Sequence, residues 1–383
     1  MSGKLDRYLN LKELLKSKSV FLLGPRQTGK STLIRQQLKG VKNYNLLLKD
    51  IFSKLNFDPT LIRKELKPED KLIVIDEIQK IPTLLDEVQY LIEEKNVRFL
   101  LTGSSARKLK KYGTNLLGGR ARLQSFHPFT YFELQEQFDL EKMANRGMLP
   151  SIYFSDDPEA DLNSYVALYL QQEIANEGVT RNLPAFSRFL EVAALGNAEQ
   201  VDFTAISNDA QVKRTTVHEY FQILQDTLVA DELPTWKQTI KRKPIATSKY
   251  YFFDWGIVKQ LQKLGEIKIG SPQFGKAFES FIYQELKAFC SYKKIKELHY
   301  WRSTSQHEVD FILNNQIAIE VKAKKNISKS DIDGIIKLSE ENLLEKYFVI
   351  YLGDSDYQFP KHEHIQIINY KNFLDLLWDR KII

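Results

Sequence analysis

Three short apolar runs mark the first part of the chain: Val20-Phe21-Leu22-Leu23, Leu72-Ile73-Val74-Ile75 and Arg98-Phe99-Leu100-Leu101. Each has strand length and lacks polar alternation, the pattern of a strand buried on both faces. The stretches between them read as helices. Leu11, Leu14 and Leu15 fall at helical spacing within Leu9 to Lys16, and Leu33 to Lys39 continues helically after the first run. Buried strands alternating with helices predict an α/β domain on a parallel sheet.

Further along, the periodicity changes. From Asp157 to Ala194 apolar positions such as Tyr165, Leu168, Tyr169, Phe186, Phe189 and Leu190 recur at helical steps. Phe203-Thr204-Ala205-Ile206 then leads into Val217, Phe221, Leu224 and Leu228, a stripe with a period of about 3.6 residues. A short helix, a longer helix and a strand near Val229 resemble a winged helix-turn-helix. An aromatic strand follows at Tyr250-Tyr251-Phe252-Phe253, then a helix-like run from Phe274 to Phe289.

A chain of 383 residues exceeds what one hydrophobic core usually serves, so several domains are expected. The pattern divides it into a P-loop parallel-sheet domain over 1–155, a helical, winged-helix-like region over 156–245 and a C-terminal α/β domain over 246–383. Hydrophobic residues make up 43% of the chain without a run long enough to span a bilayer. The segment Met1-Ser2-Gly3-Lys4-Leu5-Asp6-Arg7 lacks a secretory signal's apolar core, and the single cysteine, Cys290, excludes an internal disulfide framework. A cytoplasmic protein without a membrane partner is the expectation. The net charge of +6 permits nucleic-acid binding without requiring it.

The end of the first apolar run carries the sharpest chemistry. Gly24-Pro25-Arg26-Gln27-Thr28-Gly29-Lys30-Ser31, followed by Thr32, has the spacing of a nucleotide-phosphate loop. Its glycines allow a tight turn that aims backbone N–H groups at phosphates, at the positive end of the next helix. Lys30 is expected to reach the β- and γ-phosphates of ATP, and Ser31 to ligate Mg²⁺. The second run ends in Asp76-Glu77. Asp76 is placed to hold Mg²⁺, and Glu77 to orient or deprotonate the attacking water. Ser104, after the third run, is a candidate contact for the γ-phosphate, and Arg120 a candidate for stabilising transition-state charge, in cis or across a subunit boundary.

These motifs occur in a recognisable order. After the loop come Ile75-Asp76-Glu77-Ile78-Gln79-Lys80, Leu101-Thr102-Gly103-Ser104-Ser105-Ala106, Gly118-Gly119-Arg120 and Pro128-Phe129-Thr130-Tyr131-Phe132-Glu133-Leu134. The order resembles the prokaryotic AAA+-type ATPases whose C-terminal half is a domain of unknown function. The similarity continues through Tyr251-Phe252-Phe253-Asp254-Trp255-Gly256, Glu308-Val309-Asp310-Phe311 and Ile319-Glu320-Val321-Lys322. It implies an ATPase that uses ATP and Mg²⁺.

A second constellation lies in the C-terminal part. Glu279, Asp310 and Glu320 are candidate metal ligands, with Lys322 to position or activate water, as phosphodiester hydrolysis requires. The set resembles a restriction-endonuclease-like core, although Val309 stands where that pattern commonly has proline. Hairpin register decides the site. A three-residue loop Asn314-Asn315-Gln316 pairs Leu313 with Ile317 and places Asp310, Glu320 and Lys322 on one face. A two-residue loop would separate them.

Three readings of this part stand: a metal-dependent nuclease, a nuclease-like module that binds DNA or a partner without cutting, and an unrelated sheet with surface charges. His307 reads as a solvated strand residue. Thr215, His218 and Glu219, with Arg214 at the boundary, form a helix face that could enter a DNA groove. Lys237, Lys241, Arg242 and Lys243 could neutralise phosphates or form a solvated linker. DNA is thus the expected macromolecular partner, with a homo-oligomer or a protein partner as alternatives and a signalling-switch ATPase as the rival function.

Overall fold

The computed structural model describes residues 5–105, 107, 117–170 and 182–382; Ala106 and the side chains of Leu168, Tyr169 and Leu170 lie outside them. Residues 171–181 of the expected helical stretch also lie outside. On either side of that gap, helices run over Pro158–Ser164 and Leu183–Leu195, with a π-helical turn at Tyr165–Leu170.

Five parallel strands form the first sheet: β1 (Ser19–Leu23), β2 (Lys42–Asn45), β3 (Leu72–Asp76), β4 (Arg98–Gly103) and β5 (Ala121–Ser125). Their order is β2-β3-β4-β1-β5, as the α/β reading expects. Successive residues of the central strands point to opposite faces. Phe21, Leu23, Ile73, Ile75, Phe99 and Leu101 pack with Leu84, Leu85, Val88 and Leu91 of the helix Leu84–Lys95. Val20, Leu22, Val74 and Leu100 pack on the other face with Leu33 and Ile34 of the helix Lys30–Gln37. The strands are apolar without a break because both faces are covered.

The second of these two cores does not stop at the sheet. It continues through Met148, Phe189, Phe221, Tyr251 and Trp255 to Phe281, Phe311 and Trp378. The middle of the chain supplies the helices Phe203–Asp209 and Arg214–Asp226, then β6 (Ala230–Leu233) and β7 (Lys249–Phe252), paired antiparallel. Val217, Tyr220, Phe221 and Leu224 are the buried stripe of the second helix.

The C-terminal sheet is mixed. Its strands are β8 (Leu298–Arg302), β9 (Glu308–Leu313), β10 (Ile317–Lys322), β11 (Lys346–Tyr351), β12 (Tyr357–Phe359) and β13 (His362–Asn369), in the order β12-β13-β11-β10-β9-β8. Strands β10, β11 and β13 run parallel, whereas β8–β9, β9–β10 and β12–β13 are antiparallel pairs. One face packs on the long helix Pro272–Lys293 and on Tyr370–Trp378, the other on Asp333–Ser339.

The long helix also binds the first domain. The Glu285 carboxylate accepts hydrogen bonds from Tyr131 N–H at 2.7 Å and Trp378 Nε1 at 2.8 Å. Burial pushes its pKa up to about 8, against the opposing effect of those two donors. Between its ordinary pKa and about 8, the folded state therefore keeps a proton that the unfolded state has released. Stability must fall as pH rises through that window. In denaturant unfolding from pH 5 to 8, Glu285→Gln is expected to show a shallower decline, by up to about 1.4 kcal/mol per pH unit. An unchanged slope would show that Glu285 does not titrate in this way.

Candidate functional site

The phosphate loop leaves β1 at Leu23 and enters the helix Lys30–Gln37 at Gly29. Two glycines are required by space and conformation. A Cβ on Gly24 would stand 2.1 Å from the Phe126 carbonyl oxygen, and Gly29 has φ +96°, in the left-handed region. Thr28 closes the turn by donating its hydroxyl to the Pro25 carbonyl at 2.8 Å. Lys30 is buried and donates to the Gly24 and Pro25 carbonyls at 2.6 and 2.9 Å. Burial lowers its pKa to about 8, although Glu77 and Asp76 pull it upward. A buried cation hydrogen-bonded to carbonyls, with two carboxylates near it, fits a site that also takes an anion.

Asp76 and Glu77 lie at the C-terminal end of β3, beside the loop. Ser31 Oγ donates to Asp76 Oδ2 at 3.0 Å, and Thr102 Oγ1 to the other oxygen. Glu77 has φ +64°, a conformation costing a non-glycine residue about 1 kcal/mol or more. Its N–H donates to Thr102 Oγ1 at 3.3 Å. Gln79 Nε2 bridges the Glu77 carboxylate and Ser104 Oγ, the latter at 3.2 Å, and Ser104 Oγ lies 3.4 Å from Glu77 Oε2. Ser31, Asp76, Glu77 and Ser104 are thus brought together, and Gln79 is the linking residue that sequence reasoning left without a role. Its position two residues beyond Glu77, in the turn after a buried strand, is the signal that could have found it.

The remaining loop residues are placed around this centre. Gln27 is exposed and accepts from Ser151 Oγ at 2.7 Å, the Arg26 carbonyl accepts from Tyr165 OH at 3.4 Å, and Thr32 Oγ1 accepts from Arg35 at 3.3 Å. Arg7 holds the loop from behind. Its guanidinium donates to the Thr28 carbonyl at 2.6 Å and the His127 carbonyl at 2.7 Å, and its Nε is 3.0 Å from Glu133 Oε1. Arg7 precedes the loop motif and gives no local signal, so the sequence did not reveal it.

Arg120 is a correction. It sits just before β5, whose first residue, Ala121, pairs with Ser19 at the start of β1. The phosphate loop leaves the opposite end, where Leu23 pairs with Ser125. Arg120 pairs with Glu93 on the helix Leu84–Lys95. A role in cis at the phosphate loop is excluded by this placement.

In the C-terminal sheet, Leu313 pairs with Ile317 and Phe311 with Ile319, which is the register of the three-residue loop. Asn314 and Asn315 adopt φ of 55° and 53°, tolerated by asparagine's short polar side chain. Lys322 Nζ lies 2.5 Å from Glu320 Oε1, and Asp310 Oδ2 accepts Val321 N–H at 2.7 Å. Glu279 arrives from the long helix and accepts from Tyr251 OH at 2.7 Å. Burial raises the carboxyl pKa of Glu279, Asp310 and Glu320, while the charges of Lys249 and Lys322 oppose that rise at one or more of them.

Among the described residues, no three acidic, histidine or cysteine side chains converge as a metal ion requires. Glu279, Asp310 and Glu320 are brought near one another, with Lys249 beside Glu279 and Glu308 and Lys322 beside Glu320. His307 pairs with Asp333 at 3.0 Å.

The basic stretch before β7 is not a loose linker. Glu341 accepts the N–H groups of Ile240, Lys241 and Arg242 at 2.9, 2.9 and 3.0 Å, and Arg242 pairs with Glu340. Lys237 and Lys243 remain exposed. Thr215, His218 and Glu219 lie exposed on one helix, with His218 stacked on Phe203 at a centroid distance of 3.8 Å.

Residues 16–135 match the family model described as AAA domain. The parallel sheet, the phosphate loop and this match place the N-terminal part in the AAA, Walker-motif class of ATPases. Residues 137–268 and 274–373 match two domains of unknown function, DUF8612 and DUF4143. The chain is 25% identical over 354 residues to the uncharacterized proteins Mb2031c of Mycobacterium bovis and Rv2008c of Mycobacterium tuberculosis, covering 89% of itself and 77% of each. Among solved structures, the Walker-type ATPase PABY2304 of Pyrococcus abyssi overlaps with a TM-score of 0.46 at 16% identity, over 66% of this chain and 93% of that one. The ORC1 protein of Aeropyrum pernix in complex with DNA overlaps with a TM-score of 0.24 at 16% identity, over 66% and 90%. No helix among the described residues is long and apolar enough to cross a membrane.

Removing Arg7 leaves Glu133 buried without its ion pair. In denaturant unfolding, Arg7→Ala is expected to cost about 3–5 kcal/mol. A loss below about 1 kcal/mol, the range of an exposed ion pair, would contradict the role assigned to Arg7.

Proposed function

We propose that this chain binds ATP with Mg²⁺ and hydrolyses it, using the change of nucleotide state to act on DNA docked to its middle and C-terminal parts. The observation that carries the ATPase reading is the joined arrangement of Ser31, Asp76, Glu77 and Ser104 beside buried Lys30. Lys30 neutralises the β- and γ-phosphates, and the loop's backbone N–H groups orient them. Ser31 and Asp76 would hold Mg²⁺, which when bound supplies charge neutralisation at the transferring phosphoryl group. Glu77 accepts the proton of the attacking water. Ser104, tied to Glu77 through Gln79, is placed to respond when the terminal phosphate leaves. Arg120 has no part in this chemistry within one chain.

The DNA reading is supported by the exposed helix face of Arg214, Thr215, His218 and Glu219 and by the anchored loop that presents Lys237 and Lys243. Docking of a protein partner by the same surfaces is the alternative.

Steady-state ATP turnover tests the first part. Wild type is expected to hydrolyse ATP in Mg²⁺ and to stop with chelator. Glu77→Gln should keep nucleotide binding while losing about 100-fold or more in turnover. Equal rates for the variant and wild type would remove Glu77 from the chemistry. For DNA, binding measured across salt concentrations should weaken steeply as salt rises, and Lys237→Ala with Lys243→Ala should lower the affinity. No DNA binding at low salt, with or without ATP, would favour the protein-partner reading.

A further inference from the structure

The C-terminal acidic cluster contains a cation of its own. Lys249 enters it from β7, outside the C-terminal sheet, with a side chain only 5% exposed. Its Nζ lies 2.6 Å from Glu308 Oε1 and 3.7 Å from Glu279 Oε1. Tyr251, two residues further along the strand and so on the same face, donates its hydroxyl to Glu279 at 2.7 Å. Glu308 is also held from outside by Arg302 at 2.9 Å. On the far side, Lys322 pairs with Glu320 and the Val321 N–H occupies Asp310 Oδ2.

A divalent ion in such a cluster would draw oxygen ligands to within about 2.0–2.6 Å. An ammonium 2.6 Å from Glu308 and 3.7 Å from Glu279 takes the space and the charge role that the ion would need. Both cannot be accommodated. Removing the ammonium would leave half-buried Glu279 without its cation and Glu308 with Arg302 alone, an arrangement that an added cation relieves.

We infer that Lys249 stands in for a divalent cation between Glu279 and Glu308, so that the C-terminal sheet carries nuclease-like residues in a metal-free form that does not cut DNA. The device is carried by β7 and is independent of the ATPase reading. It also gives β7 a reason for its lysine, since the rest of that strand is aromatic and buried.

The test uses the full chain without nucleotide and Mn²⁺ alone as the probe, with bound ion counted by electron paramagnetic resonance. Wild type is expected to show no Mn²⁺ binding that Glu279→Gln removes. Lys249→Ala, and Lys249→Met, which preserves side-chain bulk, should gain one site at least tenfold tighter than any in wild type. That site should disappear when Glu279→Gln is added. Circular dichroism and ATP turnover report whether each variant is folded. Wild-type binding that Glu279→Gln or Glu320→Gln abolishes would overturn the inference, as would folded Lys249 variants that gain no site. Should neither variant fold, the wild-type titration decides alone. Wild-type DNA cleavage in Mn²⁺ that Lys322→Ala abolishes would also overturn it.

Discussion

The structure depends on burying β1 on both faces and then ending it in a loop that must hold a cation. Val20 and Leu22 pack one way and Phe21 and Leu23 the other, which fixes the strand's direction and the point where the chain turns. Phe126 closes on Gly24 and Arg7 grips Thr28, so the loop has little freedom. Lys30 is then forced inward, where burial disfavours its charge. The fold tolerates this cost at the place where a phosphate would relieve it.

The same first domain is joined to the rest of the chain by polar as well as apolar contacts. Tyr292 OH accepts the His127 N–H at 3.2 Å, and Gln124 donates to Ser291 Oγ at 3.3 Å. With Glu285 bridging Tyr131 and Trp378, the helix Pro272–Lys293 touches the segment that follows β5. That segment is also where Arg7 attaches. A displacement of the phosphate loop therefore has a short packed path to the C-terminal sheet through His127 and Tyr292.

How far the sequence reveals this follows from locality. Strands β1, β3 and β4 were legible because two-sided burial demands continuous apolar residues. Strands β2 and β5 were not: Lys42-Asn43-Tyr44-Asn45 and Ala121-Arg122-Leu123-Gln124-Ser125 lie at the sheet's edges, where one neighbour suffices and polar residues are tolerated. The β9–β10 register was legible as an alternative settled by loop length, and Asn314 and Asn315 supply the conformation that loop needs. Asp76, Glu77 and Ser104 could be read because each ends a recognisable strand. Arg7 and Lys249 act on groups that folding brings to them, and no spacing in the chain announces it. The cis reading of Arg120 failed for the converse reason, since a motif gives order along the chain without saying which end of the sheet a residue occupies.

The central claim is that the loop around Lys30 is a nucleotide-phosphate site. The most direct check is calorimetric titration of the full chain with ATP and Mg²⁺, comparing wild type with Lys30→Ala. One saturable site in wild type, weakened at least about tenfold, or about 1.4 kcal/mol, in a folded Lys30→Ala protein, is the predicted result. Equal affinity in the two, or no binding by wild type, would contradict it.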